Sequence, residues 1–317
     1  MPTVRIGSRA SRLAQTQSRQ MQARIAAALG ASPEEADRVA PIVLITTSGD
    51  QIQDRRLLEL GGKGLFTKEI EEALLDGRID CAVHSYKDVP AEAVPGLVIA
   101  ATPQREDPRD AFVSPLHARF DALPQGARLG TASLRRHTQA LFRRPDLRVE
   151  MMRGNVDTRL AKLERGEADA IVLAHAGLRR LGLDGVVREL IDPVASPPAP
   201  GQGALAIQTR LEDAGADWVQ ALHHAHTAVT VAAERGALVA LEGSCRTAIG
   251  AHARYEGGVL SLVVEALAPD GSARWRREHV VDLVGEPDPE STAAALGLSL
   301  GQQIRDEAGD RIVLPPA

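Results

Sequence analysis

The sequence predicts an α/β protein with two discontinuous lobes, mainly parallel sheets, a two-strand hinge between the lobes and a small α+β C-terminal domain. In the first two thirds of the chain, short apolar runs alternate with amphipathic helical patterns, which is typical of βαβ units. Two segments rich in proline interrupt this alternation, and the pattern changes after about residue 225. A chain of 317 residues is also long for a single hydrophobic core.

The alternating region gives a series of predicted elements. Strands are expected at Val4–Gly7, Ile42–Thr46, Asp80–His84, Leu97–Thr102, Arg128–Gly130, Val149–Met152, Asp169–Ala174 and Ala204–Gln208. Helices are expected at Ser11–Leu29, Thr67–Leu75, Ser133–Arg143 and Val156–Arg165.

Two polar segments, Thr102–Asp110 and Ala195–Gly203, are predicted to cross between the lobes because proline and glycine interrupt the periodic patterns there. A strand pattern follows the second crossing at once, so we expect the chain to return to the first sheet. The predicted domains are therefore residues 1–103 with 201–222, residues 104–200, and residues 223–317. The last domain is expected to contain two helices, Thr227–Leu241 and Pro289–Ala308, and three strands, Thr247–Tyr255, Val259–Ala268 and Ala273–Val281.

Composition excludes several classes of function. No apolar run approaches the roughly 20 residues of a membrane span, and no secretion signal precedes the first strand, so we expect a cytoplasmic protein. Two cysteines are too few for a disulfide framework, and we expect no metal site. A net charge of −5 and eight aromatic residues argue against nucleic-acid binding.

Three strand-to-helix turns share one character, and they lie at Gly7–Ser11, Gly130–Arg136 and Met152–Arg159. Helix N-termini offer unpaired backbone N–H groups and the positive end of a dipole, so they bind anions. Each turn adds hydroxyl or amide groups and at least one arginine, whose planar fork suits a carboxylate or a phosphate. We therefore predict an anionic ligand held between the lobes. The residues leave open which of the two anions it carries, although no Walker or Rossmann glycine pattern is present.

Three further segments carry candidate chemistry. Asp88 follows Lys87 at the end of a buried strand, where a carboxylate can move protons and stabilise a developing cation; the alternative is an ordinary turn aspartate. The glycine-dense residues 60–66 suit either a mobile lid or a surface loop. Cys245 stands in a loop of small residues beside Arg246, which favours a thiolate, although a lone cysteine is more often an inert apolar side chain.

Eight motifs occur in a fixed order along nearly the whole chain. They are Arg5–Arg9 with Ser11 and Leu13-Ala14, Gly61–Phe66, His84–Pro90, Arg105–Ala111, Ser133–Arg136, Arg153–Asn155, Gly201–Gly203 and Leu241–Cys245. In this order they resemble the porphobilinogen deaminase (hydroxymethylbilane synthase) family of tetrapyrrole biosynthesis. Each motif is weakly specific alone, whereas the ordered set is highly specific.

This resemblance implies two lobes like those of periplasmic binding proteins and a third domain that carries the cysteine. It implies a dipyrromethane cofactor joined to Cys245 by a thioether. Four porphobilinogen units are then added head to tail with loss of ammonia, and hydroxymethylbilane is released by hydrolysis. Small-molecule substrate, no nucleic-acid or membrane partner, and a monomeric state are expected.

The resemblance also implies roles for individual residues. Asp88 and Lys87 are expected to be catalytic and to contact the cofactor. The other expected cofactor-binding residues are Ser11, Thr131, Ser133, Arg135, Arg136, Gly154, Asn155 and the covalent anchor Cys245. Substrate carboxylates are expected to meet Arg9, Arg153, Arg159, Arg180 and Gln202, with Lys63 and Phe66 on the lid.

Four positions depart from the family's usual residues: Arg12, Ala132, Ser244 and Ala248. They flank the reactive groups, and the missing hydroxyl at Ala132 is expected to loosen one carboxylate contact. Two other functions remain open from the residues alone. One is a two-lobed protein that captures an anionic solute, and the other is an α/β transferase that binds phosphate at the same helix ends.

Overall fold

The computed structural model describes residues 2–51, 64, 66–241 and 247–314, and the chain divides into two compact units. The first unit contains Met1–Glu106 and Ala204–Ala228, and the second contains Asp107–Gly203 and Val229–Ala317. The second unit thus takes in most residues of both the predicted second lobe and the predicted C-terminal domain. The division into three domains stays a prediction.

The elements are numbered along the chain. The strands are β1 (Ile6–Arg9), β2 (Ile42–Ile45), β3 (Cys81–Ser85), β4 (Leu97–Ala101), β5 (Asp110–Val113), β6 (Arg128–Thr131), β7 (Arg148–Met151), β8 (Ala170–Ala174), β9 (Glu189–Leu190), β10 (Leu205–Arg210), β11 (Ala248–Glu256), β12 (Val259–Leu267) and β13 (Arg274–Asp282). The α-helices are α1 (Arg12–Ala28), α2 (Ala36–Val39), α3 (Ser48–Gln51), α4 (Lys68–Leu75), α5 (Leu134–Arg143), α6 (Val156–Glu164), α7 (His175–Arg180), α8 (Asp217–Gln220), α9 (Ala225–Ala240) and α10 (Pro289–Ala308).

The first unit is built on a five-stranded sheet in the order β2-β1-β3-β10-β4. Strand β1 pairs in parallel with β2 and β3, whereas β10 runs antiparallel between β3 and β4. The return of the chain to the first sheet after the second crossing is therefore confirmed. Apolar side chains of β1, β3 and α1, including Ile6, Val83 and Ile25, form the core on one face of this sheet.

The second unit contains a five-stranded sheet of the same design, in the order β7-β6-β8-β5-β9. Strand β6 pairs in parallel with β7 and β8, and β5 enters antiparallel between β8 and β9. In both sheets the antiparallel strand directly follows a crossing segment. The other four strands run in one direction, so in each sheet their carboxyl ends meet at one edge, as the α/β prediction requires.

A three-stranded antiparallel sheet, β11-β12-β13, completes the second unit. Helices α9 and α10 cover it, and the shared core includes Val229, Leu262 and Ile304. The two helices approach very closely, because a Cβ at Gly297 would lie 1.9 Å from the Ala233 carbonyl oxygen. Glycine at this position is therefore a packing requirement. Within the described ranges, no helix is long and apolar enough to cross a membrane.

Each predicted strand and helix has a counterpart whose ends lie within two residues of the prediction. The prediction missed β5, β9 and the short helices α2, α3, α7 and α8. Strand β5 escaped because its first residue, Asp110, is charged and ends a polar crossing segment. Its burial depends on partners that are distant in the sequence, which local periodicity does not reveal.

Candidate functional site

At the carboxyl edge of the first sheet, the ends of β1 and β3 lie side by side, since Ile6 pairs with Cys81 and Gly7 with Ala82 in parallel register. Arg9 closes β1, and its guanidinium carbon lies 4.1 Å from the centroid of the Phe66 ring. This is a cation–π contact, which holds a charged side chain while leaving its N–H groups directed elsewhere. The structure thus brings a predicted substrate-binding arginine and a predicted lid residue together.

Ser11 is the N-cap of α1, and its Oγ accepts a hydrogen bond from the Ala14 N–H at 3.3 Å. The same helix reaches the end of β3, because Gln17 Nε2 donates to Ser85 Oγ at 2.9 Å. Capping by serine is common at helix starts, and here it fixes the first turn of α1 beside Arg9. The helix N-terminus predicted to attract anions is therefore present in this unit.

Lys87 and Asp88 lie in a single 3₁₀ turn, Tyr86–Asp88, that directly follows β3. The Tyr86 N–H donates to the Ala204 carbonyl oxygen at 3.0 Å, and the next residue, Val89, is buried. The turn is thus fastened at both ends, while Asp88 itself is exposed and Lys87 is half-buried. This geometry presents a carboxylate to the surroundings from a fixed backbone.

His84 lies beneath this edge in a buried position, with Nε2 3.0 Å from Gln208 Oε1. Burial lowers the pKa of His84 to about 4, although Gln208 and the carboxylate of Asp88 act in the opposite direction, while Arg9 lowers it further. The imidazole is therefore neutral at pH 7 and serves as a hydrogen-bonded core residue.

In the second unit, Thr131 ends β6 and Ser133 caps α5. Ser133 Oγ accepts from the Arg136 N–H at 3.4 Å, and the Ser133 N–H donates to Thr131 Oγ1 at 3.1 Å. Both side chains therefore stabilise the strand-to-helix turn through hydrogen bonds within the chain.

Arg135 and Arg136, in the first turn of α5, lie in a buried cluster around Asp110. Arg135 Nη1 donates to Asp110 Oδ2 at 2.8 Å, while Arg136 Nη2 and Nε donate to Oδ1 at 2.7 and 3.1 Å. Gln202 Nε2 donates to the same Oδ1 at 2.9 Å and to the Pro108 carbonyl oxygen at 2.7 Å. Burial alone would raise the pKa of Asp110, but the two guanidinium groups outweigh it and hold this pKa well below its ordinary range.

This cluster is a feature that the sequence reasoning missed. Arg135 and Arg136 were predicted to bind the cofactor and Gln202 the substrate, and within the chain all three contact the carboxylate of Asp110 on β5. Two guanidinium groups face one carboxylate, so the cluster keeps a net positive charge. The signal for Asp110 was its place at the end of a crossing motif, next to an apolar run.

Gly154 and Asn155 form the turn before α6. Asn155 Oδ1 accepts from the Thr158 N–H at 2.8 Å, which makes Asn155 the N-cap. Gly154 has φ +122°, and a Cβ there would lie 2.6 Å from Thr158 Cγ2, so glycine is required. Arg153 Nη1 is buried and has no hydrogen-bond partner among the residues that the structure describes. Arg159 is half-buried in the first turn of α6.

Arg180 closes α7 and donates from Nη2 to the Gly203 carbonyl oxygen at 2.8 Å, so it holds the second crossing segment. Nearby, His175 Nδ1 lies 3.1 Å from Asp107 Oδ2, and its Nε2 lies 3.1 Å from Asp184 Oδ1. Buried Glu234 on α9 accepts from the Gly201 N–H at 2.8 Å. None of these acidic groups was singled out from the sequence, and together they fix the crossing segments within this unit.

Cys245 and Lys63 lie outside the described residues, which resume at Thr247 and Gly64. The other cysteine, Cys81, is completely buried in β3, and burial raises the pKa of its thiol. A buried thiol of this kind is inert.

Comparison with known proteins identifies the relatives of this chain. Residues 4–217 match the family model described as porphobilinogen deaminase, dipyromethane cofactor binding domain, and residues 228–306 match that of the C-terminal domain. A porphobilinogen deaminase of Caulobacter vibrioides (strain NA1000 / CB15N) is 64% identical over 318 residues, covering 99% of this chain and 98% of the relative. That of Phenylobacterium zucineum (strain HLK1) is 63% identical, with 99% of each chain covered.

Among solved structures, the methionine-binding protein MetQ matches with a TM-score of 0.45 and 14% identity, covering 69% of this chain and 89% of that chain. The family models together span most of the sequence, and the two relatives match it nearly end to end. The chain belongs to the porphobilinogen deaminase family.

Proposed function

We propose that this chain deaminates four porphobilinogen units and joins them head to tail on a dipyrromethane bound covalently through Cys245, and then releases hydroxymethylbilane. The observation that carries the chemistry is Asp88, an exposed carboxylate on a fastened turn that shares a sheet edge with Arg9. The match of residues 4–217 to a cofactor-binding domain supports the same conclusion.

The residues present fit a cofactor that carries carboxylates. Arg153 Nη1 is a buried guanidinium N–H without a partner in the described part of the chain, and Arg135 Nε is in the same condition. A buried unpaired donor costs free energy, which an anionic acceptor recovers. The net positive charge of the cluster around Asp110 also favours the binding of a carboxylate. When bound, dipyrromethane supplies a free pyrrole α-carbon as the nucleophile.

Asp88 is proposed to work on the substrate. Its carboxylate accepts the pyrrole N–H and stabilises the positive charge that develops as the C–N bond breaks and ammonia leaves with the bonding electrons. After the new carbon–carbon bond forms, the same carboxylate takes up the proton lost from the α-carbon. Lys87 adds positive charge for a neighbouring carboxylate. The backbone needs no movement for these steps, because the turn is already fastened.

The remaining predicted roles are kept as proposals. Ser11, Ser133 and Asn155 cap their helices, so they are proposed to contribute through the helix N-termini that they organise, with Thr131 and Gly154 shaping the turns. For the substrate carboxylates we propose Arg9, Arg153 and Arg159. Arg135 and Arg136 are proposed to bind the cofactor, Arg180 and Gln202 to bind the substrate, and Lys63 and Phe66 to serve as lid residues. A cytoplasmic location is proposed from the sequence, and a monomeric state from the family resemblance.

The cofactor proposal is tested by the mass of the intact protein. The wild-type chain should exceed its sequence mass by a two-pyrrole adduct, and Cys245→Ser should lose the excess. Cys81→Ala is the matched control and should retain it, because Cys81 is buried in β3. An active wild-type preparation with an unmodified mass would contradict covalent attachment.

The catalytic proposal is tested with Asp88→Asn. Loss of a positioned acid–base group lowers turnover by about 10²–10⁴-fold, so ammonia release should fall by that factor while the mass adduct remains. Asp76→Asn, at an exposed aspartate in the same unit, is the control and should leave turnover unchanged. Near-normal ammonia release by Asp88→Asn would show that another group handles the proton.

A further inference from the structure

The chain leaves the first unit at two places, through the first crossing segment and through α9. Hydrogen bonds join these two departing segments to each other. The His224 N–H donates to the Thr102 carbonyl oxygen at 2.9 Å, and the Arg105 N–H donates to Thr227 Oγ1 at 3.0 Å. His224 and Thr227, at the start of α9, therefore hold the crossing segment in place.

His224 directly precedes α9, and its imidazole serves as the N-cap of this helix. The Thr227 N–H donates to His224 Nδ1 at 3.3 Å, and Thr227 Oγ1 lies 2.8 Å from the same nitrogen. Most N-caps are Ser, Thr, Asp or Asn, whose oxygens remain acceptors near neutral pH. Here the acceptor is a ring nitrogen that can be protonated, so the cap depends on the charge of the imidazole.

The contacts of Nδ1 place the proton of the neutral His224 ring on Nε2. A backbone N–H can only donate, so Nδ1 must direct its lone pair towards Thr227. Thr227 Oγ1 accepts from the Arg105 N–H, and the same hydroxyl donates its proton to Nδ1. Thr227 is buried, with 4% of its surface exposed, so water does not readily replace these partners. The neutral imidazole, the helix start and the crossing segment thus form one hydrogen-bonded chain.

Protonation of Nδ1 disrupts this chain. The Thr227 N–H loses its acceptor, because the protonated nitrogen has become a donor. Thr227 Oγ1 then faces two donors, the Arg105 N–H and the new Nδ1–H, and its own hydroxyl proton must turn away. The positive charge also lies at the positive end of the α9 dipole, which destabilises the first turn. One protonation therefore weakens both the cap of α9 and the anchor of the crossing segment.

The surroundings of the His224 ring favour its neutral form. Burial lowers the pKa of His224, and the charges of His226, Arg24 and His223 lower it further. Arg24 approaches from α1, where its Nη2 donates to the Leu222 carbonyl oxygen at 3.4 Å, and the His226 ring centroid lies 6.0 Å from that of His224. Because the pKa is lowered on folding, the cap is complete above the ordinary pKa of 6.5 and weakens as the pH falls below it.

We propose that His224 is a pH-dependent cap that fastens both segments through which the chain leaves the first unit, and that protonation of its imidazole releases them together. The device lies outside the proposed transferase chemistry, because none of its residues has a catalytic, cofactor or substrate role. Its effect is a local opening at the start of α9 and at Arg105, while the rest of the first unit stays folded.

The test measures amide hydrogen exchange of the purified holoenzyme by NMR. Protection factors correct for the intrinsic pH dependence of exchange, and they report local opening at single residues. Loss of a cap together with a charge at the helix end should lower the protection of the Thr227 and Arg105 amides by about 5–10-fold between about pH 8 and about pH 5. Equal protection of both amides at the two pH values overturns the proposal.

Two variants assign this change to His224. In His224→Asn, the side-chain oxygen caps the helix but does not titrate, so protection should stay high at both pH values. In His224→Ala, the cap is lost, so protection should already be about 5–10-fold lower at about pH 8 and should not fall further. His279→Asn, at an exposed histidine of β13, is the control and should behave as the wild type does. A pH dependence that persists in His224→Asn overturns the assignment.

Thr227→Val tests whether the cap and the crossing segment are linked. Valine keeps the backbone N–H at this position but removes Oγ1, which accepts from the Arg105 N–H. The Arg105 amide should therefore lose its protection at both pH values, while the amide at the substituted position should still respond to pH. An Arg105 amide that keeps its protection and its pH dependence in this variant would show that another group anchors the crossing segment, which overturns the linked release.

Discussion

The buried cluster around Asp110 gives the sharpest prediction about stability. In Asp110→Asn, one carboxylate oxygen is replaced by an amide N–H₂ group of similar shape. Four hydrogen bonds converge on the native carboxylate, from Arg135 Nη1, from Nε and Nη2 of Arg136, and from Gln202 Nε2. The variant keeps only one acceptor oxygen and places a donor against the guanidinium groups.

The size of the expected loss in stability follows from the burial of the two arginines. The Arg135 and Arg136 side chains are 5% and 7% exposed, so neither can reach water to replace its lost partner. Removal of one member of a buried ion pair costs about 3–5 kcal/mol, because the remaining charge stays buried without compensation. We expect the free energy of unfolding of Asp110→Asn to fall by about this amount.

The assay is urea denaturation followed by circular dichroism, at pH 7 and at lower pH. The pKa of Asp110 is lowered on folding, so its stabilising contribution is complete above its unfolded pKa of about 3.8 and is lost as the pH falls below that value. The difference between the wild type and Asp110→Asn should therefore persist from pH 7 down to about 4 and shrink only at more acidic pH.

Glu307→Gln is the control, because Glu307 pairs with Arg277 at 2.5 Å in a largely exposed position. Exposed pairs contribute about 0–1 kcal/mol, so this variant should stay close to the wild type. An Asp110→Asn variant that unfolds within 1 kcal/mol of the wild type would refute the reasoning, because it would mean that the two guanidinium groups find other compensation.

Three further predictions concern the candidate site. Phe66→Ala should raise KM for porphobilinogen by about 2–5-fold with little change in kcat, because Arg9 loses its aromatic face, whereas Phe66→Tyr should behave as the wild type. The His84 ring should stay neutral down to about pH 4 in an NMR titration. Because the unfolded ring takes up a proton near pH 6.5, the free energy of unfolding should fall by about 3 kcal/mol as the pH drops from 6.5 to 4, and His84→Gln should remove this dependence. Gly154→Ala should lower the thermal midpoint and turnover together, since the new Cβ meets Thr158; an unchanged midpoint would show that the turn relaxes freely.

The sequence was sufficient to locate the main secondary-structure elements and the sheet edges that carry the candidate site residues. Alternation of apolar and polar residues is a local property, so it located the main strands and helices within two residues of their ends. The turns after β1, β6 and β7 were found for the same reason, since glycine, a capping side chain and an arginine occur together in each. The family was identified from motifs in a fixed order, and the comparisons confirm it.

Only the tertiary structure decided what each charged side chain contacts. Arg9 and Arg135 both belong to strand-to-helix turns, yet Arg9 lies on Phe66 while Arg135 is buried against Asp110. The difference arises because a strand that follows a crossing segment inserts Asp110 beside α5, and no local pattern specifies a partner 25 residues away. Glu265 is a second example, since its hydrogen bond with Gln139 depends on where α5 packs against the three-stranded sheet. The sequence determined which residues can bind an anion. The packing determined that Arg135 and Arg136 contact the carboxylate of Asp110 within the chain.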